Sequence, residues 1–374
     1  MLRKIADQPD LAAWWRLAET ALEPSAPATP AFALAAMRHL AGGDRPLLVH
    51  DCAGAGECRF VAPVVESAWR WRPVGRLASS RFSDFFFLGL PLVAGEEPAV
   101  AVRALLERLR ARGNAALELC AVPEDGPFWQ QLQREAPAAP VVLARWQRAV
   151  LDATREPEEW WRNDISGKRR KEYRRLWKRL AGQGALTFQA LEAGEDVRPW
   201  LEEFLALEAS GWKGRAGTAL LCDARNAAFV RQMVADFHAH GALRFWRLVL
   251  DGRAIAGLFG MLVGDVLWLG KIARDERLDA FSPGVLLTIE ATKRILADPA
   301  IRLADSSADP DHPMIDHLWR QRQTMVDALV PLPGVSAARF HALLALERAR
   351  RAARARAKAA WHRLRRWRKG RRRG

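Results

Sequence analysis

The chain has 374 residues, half of them hydrophobic and 27% charged, a composition that builds packed cores and excludes a disordered or fibrous protein. No apolar run reaches the roughly 18 residues of a membrane span, and the first nine residues lack the apolar core of a signal peptide, so a cytoplasmic location is expected. The formal charge of +15 is unevenly spread: residues 339–374 hold 15 Lys/Arg against one acidic residue, which leaves a net charge near +1 on the other 338 residues. The body is nearly neutral and the tail is a separate electrostatic object. Cys52, Cys58, Cys120 and Cys222 fit no metal-ligand spacing. Cys52 and Cys58 are close enough to pair, but reduced structural cysteines are the expectation.

In chain order, residues 10–23 place Trp14, Trp15, Leu17, Ala18 and Leu22 on one helical face, and Pro24, Pro27 and Pro30 break that helix. A second helix follows at 32–40. Strands are predicted at 46–50 and 60–66, joined by the turn Ala53-Gly54-Ala55-Gly56. Residues 81–90 are aromatic-rich and read as a strand or a buried loop. A helix at 100–112, a strand at 115–119 and a short helix at 128–135 complete the first half. A strand at 145–151 leads to helical signals at 157–162 and 168–180, the latter with eight Lys/Arg in 13 positions. A strand at 185–191 and helices at 197–210 and 226–240 come next.

Residues 242–296 carry the strongest pattern. Three short apolar segments, 242–250, 254–263 and 266–273, are separated by Asp251-Gly252 and Gly264-Asp265, both suited to tight hairpin turns. A loop then leads into a helical run through Leu296. Ser282-Pro283-Gly284-Val285 marks the helix start: Ser282 as cap, Pro283 in the first turn, and Gly284 to let a ligand approach the backbone. A helix N-terminus offers unpaired N–H groups to a phosphate or diphosphate.

Other candidate positions each have a plain alternative. Trp212, Lys213 and Arg215 lie in a loop with three glycines among residues 211–218 and could stack on or grip a ligand; the alternative is a glycine C-cap and a surface loop. Lys271 ends an apolar strand, where it could polarise an acyl carbonyl or simply be a solvated rim lysine. Asp275, Glu276 and Asp305 are carboxylates at strand ends, positions for a general base or for caps of the next turn. His312 and His317 sit in a proline-containing loop whose spacing supports no metal, although His312 could shuttle a proton. Arg169 and Arg170 open the basic helix at 168–180, suited to an anionic ligand or to plain solvation. Arg/Ala-rich residues 342–374 with Trp361, Leu364 and Trp367 read as a membrane-surface segment, with nucleic acid behind it, or as a disordered charged terminus.

Strand, loop and helix start in this order resemble the core of the GNAT acyltransferase fold, although its usual Gln/Arg-x-x-Gly-x-Gly/Ala loop is absent. Residues 204–220, with Gly211-Trp-Lys-Gly-Arg215, resemble more closely the FemAB-like branch of that superfamily, which includes acetyltransferase-like proteins of the CelD/BcsL type associated with cellulose and envelope polysaccharide synthesis. Lys271-Ile-Ala-Arg-Asp-Glu276, Ser282-Pro-Gly-Val-Leu-Leu287, Ser166-Gly-Lys-Arg-Arg170, Asp305 and His312-Pro-Met-Ile-Asp-His-Leu-Trp319 support the match. The resemblance implies an α/β fold of two tandem GNAT-like units with mixed, largely antiparallel sheets. The units would span residues 1–150 and 151–335, ahead of a basic helical or disordered tail at 336–374. It implies transfer of an acyl group, acetyl first, from a CoA or carrier-protein thioester to an amine or hydroxyl of a glycan or small molecule. In that reading Asp305 or Glu276 is the base and Lys271 assists it. Ser282 to Val285 hold acyl-CoA as co-substrate, without a metal, and Trp212, Lys213, Arg215, Arg169 and Arg170 hold the acceptor. An acyl-carrier protein and the inner membrane face are the expected partners. The alternatives are aminoacyl-tRNA as donor, and a non-catalytic module of a polysaccharide-synthesis complex.

Overall fold

The computed structural model describes residues 8–370 apart from 41–45, 54–55, 68–70, 72, 84 and 86, with side chains described as far as Trp361. Gly54 and Ala55 of the expected first turn, Asp84 and Phe86 of the aromatic segment, and the side chains of Leu364 and Trp367 lie outside the described residues. The first part contains helix α1 (Leu11–Thr20), a 3-10 turn, α2 (Pro30–His39), strands β1 (Pro46–Cys52), β2 (Cys58–Ser67), β3 (Arg76–Ser79) and β4 (Leu92–Val93), then α3 (Pro98–Ala111), β5 (Asn114–Pro123), α4 (Pro127–Glu135) and β6 (Val141–Asp152). The second contains α5 (Pro157–Asn163), α6 (Gly167–Ala181), β7 (Leu186–Ala190), α7 (Val197–Ser210), α8 (Trp212–Arg215), α9 (Ala224–Ala239), β8 (Leu243–Leu250), β9 (Arg253–Val263), β10 (Val266–Arg274), α10 (Pro283–Leu296), β11 (Leu303–Asp305), β12 (Gln321–Pro331) and α11 (Ala337–Gly370).

Local chemistry sets most boundaries. Asp10 caps α1 by accepting from the Ala13 N–H at 2.9 Å, and Thr29 with Pro30 opens α2, the usual cap and first-turn residues. Asp251 and Gly252 both have positive φ, 48° and 78°, as the tight β8–β9 turn requires. Among the cysteines, Cys52 and Cys58 are joined by a disulfide, which overturns the expectation that both are reduced; Cys120 is buried and free, and Cys222 is exposed.

Among the described residues all twelve strands belong to one sheet, in the order β1-β2-β3-β5-β12-β6-β11-β10-β9-β8-β7, with β4 beside β2. Each half repeats one plan. In the first, an antiparallel run ends at β3, which is parallel to β5. In the second, an antiparallel run ends at β10, which is parallel to β11. The halves then exchange strands: β12, late in sequence, pairs with β5, while β6, early in sequence, pairs with β11. β6 and β12 pair with each other at the centre. The architecture is α/β with one long mixed sheet, two GNAT-like halves in tandem and a C-terminal helix.

Helices seal the joint between halves. α2 lies on α9, with Phe32 edge-on to Phe229 and His39 hydrogen-bonded to Gln232 at 2.9 Å. Trp15 stacks on His240. The largest core cluster accordingly runs through both halves, from Trp14 and Phe32 to Phe204 and Phe259. The first turns of α11 also belong to the body: Phe340, Leu343 and Leu344 pack on Leu77, Ala115 and Leu329. The tail is therefore helical, and its root is part of the first half's core.

Candidate active site between the two halves

β10 and β11 are hydrogen-bonded only from Val266–Leu303 to Trp268–Asp305. Beyond that point they part. β10 also breaks its register with β9 between Leu269 and Ile272, leaving Gly270 and Lys271 in a bulge. Bulges re-aim side chains and free backbone amides. Asp305 and Lys271 therefore lie on adjoining strands at the mouth of the same opening, about three residues or ~10 Å apart along the strand direction.

Asp305 is 2% exposed. One oxygen pairs with Arg148 Nη1 of β6 at 3.2 Å, and the other accepts from the Ser307 N–H at 2.6 Å. Arg148 is equally buried and donates from Nη2 to the Phe87 carbonyl at 2.7 Å, tying the aromatic segment of the first half over the site. Two buried donors here have no hydrogen-bond partner among the described residues, Arg148 Nε and Ser307 Oγ. Ser307 also holds a positive φ of 52°. Strained backbone and unsatisfied buried donors are both costly, and they gather where a ligand is handled.

Lys271 lies 3.6 Å from Glu208 Oε1, with its ammonium 5.4 Å from the centre of the Phe85 ring. Burial pulls the Lys271 pKa below the usual lysine range, against the opposing charge of Glu208. Glu208 of α7 also accepts from Lys213 Nζ at 2.8 Å and the Leu220 N–H at 2.9 Å. Burial pushes Glu208 up, but these hydrogen bonds and the two lysine charges more than offset it and lower its pKa.

The remaining expected residues have defined places. Glu276 accepts from the Trp212 N–H at 2.7 Å and Arg215 Nη2 at 2.6 Å, so it fastens α8, and these bonds hold its carboxylate below the usual range. Asp275 is held in the same way by Arg277. Lys213 and Arg215 are spent on Glu208 and Glu276, which leaves Trp212, 53% exposed, as the open member of its loop. Arg170 donates to the carbonyls of Trp161, Arg162 and Ile165 and closes the end of α5 instead of reaching outward. Arg169 is half-buried on α6, beside Tyr173. His312 accepts from the Met314 and Ile315 N–H groups.

At α10, Ser282 takes a left-handed conformation and makes no side-chain cap, which corrects the expected role of its hydroxyl. Pro283 has no N–H, and the Val285 and Leu286 amides bond back to the Ser282 carbonyl. Gly284 is the first-turn amide left for an anion. A Cβ there would stand 3.3 Å from Arg274 Cδ and 3.6 Å from Ile272 Cδ1, so this glycine lets the helix pack on β10. Arg148, Glu208, Phe85 and Phe87 are site-lining residues that the sequence analysis does not single out.

A cavity of about 210 Å³ borders Asp305 and Trp268, and reaches Glu23 and Asp125. Burial raises Glu23 to about 7, although the Phe128 N–H it accepts pulls the other way. Folding thus favours protonated Glu23, a contribution complete below the ordinary value of 4.5 and lost as pH rises toward 7. Glu23→Gln keeps the acceptor and removes the titration. It should unfold like the parent at pH 4 and be more stable by about 2–3 kcal/mol at pH 8, as read from urea midpoints; equal midpoints at both pH values would contradict the assignment.

Two tandem meanders, each closed by a parallel β–α–β step, and a bulged strand beside a buried carboxylate define the frame of the site. Residues 167–312 match the family described as an acetyltransferase (GNAT) domain. No curated protein matches the sequence. Among solved structures, FemX aligns with a TM-score of 0.59 at 13% identity, over 87% of this chain and 97% of its own. L-PGS from Bacillus licheniformis gives 0.53 at 11%, over 92% and 98%. A conserved protein of unknown function from Bacteroides thetaiotaomicron VPI-5482 gives 0.55 at 12%, over 86% and 97%. This chain thus shares its fold with FemX and L-PGS. Among the described residues no helix is long and apolar enough to cross a membrane.

Proposed function

We propose that the chain transfers an acyl group from a thioester or activated ester to an amine or hydroxyl of a glycan or small acceptor. The observation that carries this reading is the opening between β10 and β11, where the Lys271 bulge adjoins Asp305 and the partnerless donors Arg148 Nε and Ser307 Oγ. In this reading the acceptor's lone pair attacks the acyl carbonyl. Lys271 and the bulge amides stabilise the developing oxyanion. Asp305, whose oxygens each keep a free lone pair, takes the acceptor's proton. The bond to the leaving thiol or alcohol then breaks, and that group leaves with the proton that Asp305 took, returned to it directly or through solvent. Exposed Trp212 offers a flat apolar face to a sugar ring, in keeping with a glycan acceptor and a place in envelope polysaccharide synthesis.

Acyl-CoA at α10 is the first donor to test. The Cβ of Gly284→Val would meet the flexible Arg274 stem and the Ile272 tip, and its two γ-methyls add bulk at a buried position, so the fold should lose about 1–3 kcal/mol while acetyl-CoA affinity falls at least tenfold in calorimetric titration. The sparse amides at the α10 start favour a second reading, in which the donor is held without a diphosphate grip, as in an aminoacyl-tRNA ester or a carrier-protein thioester. Saturable acetyl-CoA binding lost in Gly284→Val supports the first. Absent CoA binding, with salt-sensitive binding of aminoacyl-tRNA, supports the second. Turnover surviving alanine at both Asp305 and Lys271 overturns the assigned chemistry, and absence of turnover by the parent with any of these donors leaves a non-catalytic module.

A further inference from the structure

α11 runs for 34 residues, and its root is clamped to the body. Arg351 bridges Asp327 of β12 at 2.7 Å, Glu118 of β5 at 2.8 Å and fully buried Glu347 at 3.0 Å. Arg350 adds contacts to Glu347 and Glu118. Two central strands thereby fix the direction in which the helix leaves the body. Beyond this clamp every residue from Ala352 to Trp361 is exposed, and the helix continues to Gly370. Nineteen residues at 1.5 Å each make an arm of roughly 28 Å.

The arm's composition is one-sided. Residues 352–374 contain 11 Lys/Arg and no Asp or Glu. Arg354, Arg356 and Lys358 pair with no acidic group among the described residues, so nothing on the arm itself offsets their mutual repulsion. Ala353, Ala357 and Trp361 recur at intervals of four, with Ala360 three after Ala357, and form one small apolar row. Trp361 is 53% exposed. A polyanion such as RNA needs cations but no apolar row. A narrow apolar stripe ending in tryptophan and flanked by basic residues is what a helix lying in a lipid headgroup layer requires.

We infer that the distal half of α11 is a docking arm for an anionic bilayer surface, which would hold the inter-half site at a fixed distance and angle from that surface. The inference stands apart from the acyl-transfer reading, since it concerns binding alone. The test is co-sedimentation of the full-length protein with vesicles of phosphatidylcholine, alone or doped with phosphatidylglycerol, over a range of salt. The doped vesicles should bind and the neutral ones should not. The triple variant R354E/R356E/K358E should bind at least about a hundredfold more weakly, with thermal unfolding unchanged because these side chains are solvated. Trp361→Ser should weaken binding several-fold, and the defect should persist at high salt, where charge is screened. Binding indifferent to phosphatidylglycerol, or to both variants, overturns the inference. So does an RNA oligomer that binds the parent more tightly than doped vesicles do at equal phosphate and salt and is indifferent to Trp361→Ser; that result would make the arm a nucleic-acid segment.

Discussion

Arg148→Met is expected to cost about 3–5 kcal/mol of stability, because removing one member of a buried pair strands the other charge. Asp305 would keep only the Ser307 N–H, and its side chain, 3% exposed, has little water to turn to. The loss would spread, since Arg148 also holds the Phe87 carbonyl and thus the aromatic segment over the opening. Asp305→Leu should cost a similar amount by stranding the guanidinium. The double variant R148M/D305L replaces the pair with apolar side chains of comparable volume, so it should recover most of the stability. It should nevertheless remain inactive, since no proton acceptor is left. Urea unfolding and a transfer assay on the three variants separate the two roles. Single-variant losses under about 1 kcal/mol would mean that the pair is hydrated in solution. Activity in the stable double variant would remove Asp305 from the chemistry.

The same pair shows why the site was only half legible in the sequence. The β8–β10 meander and the α10 start were readable because their signals are local: Asp251-Gly252 and Gly264-Asp265 turns between apolar runs, then Pro283 ahead of a helical pattern. Lys271 and Asp305 were readable as charged strand ends. Arg148 was not, because its partner lies 157 residues away on a strand from the other half. β12 escaped for a related reason. Asp327 interrupts its apolar run, and that aspartate is accommodated by Arg351, which only the fold brings near. The strand exchange that puts β12 beside β5 is likewise a tertiary event, invisible to periodicity, and so was the docking of the α11 root through Phe340 and Leu343. Glu208 did leave a signal. It continues the apolar row Val197, Leu201, Phe204 and Leu205 of α7, and an acid on the buried face of a helix implies a buried cation opposite it. Conversely, Glu276, Arg170 and Arg215 looked available because sequence cannot show which charges are already taken by neighbours.

Lys271→Met should lower turnover about 10²–10³-fold, the scale for losing one preorganised oxyanion donor, while leaving the fold intact. The stability sign follows from the direction of the pKa. Burial lowers Lys271 below its ordinary 10.5, so the folded protein disfavours the ammonium, and this contribution is present only above 10.5 and lost as pH falls through the lowered value. At neutral pH the charged lysine is therefore a net cost, and Lys271→Met should be at least as stable as the parent there. Loss of activity without loss of stability distinguishes a functional lysine from a structural one. The catalytic cation should also give activity an alkaline limb below the usual lysine range, since the ammonium is lost on raising the pH. Lys271→Arg, always charged, should abolish that limb and keep part of the rate. Glu208→Gln removes the main charge that favours the ammonium, so it should move the limb to lower pH with KM little changed. A limb that moves up in Glu208→Gln, or one still present in Lys271→Arg, would assign the titration to another group and return Lys271 to the role of a rim residue.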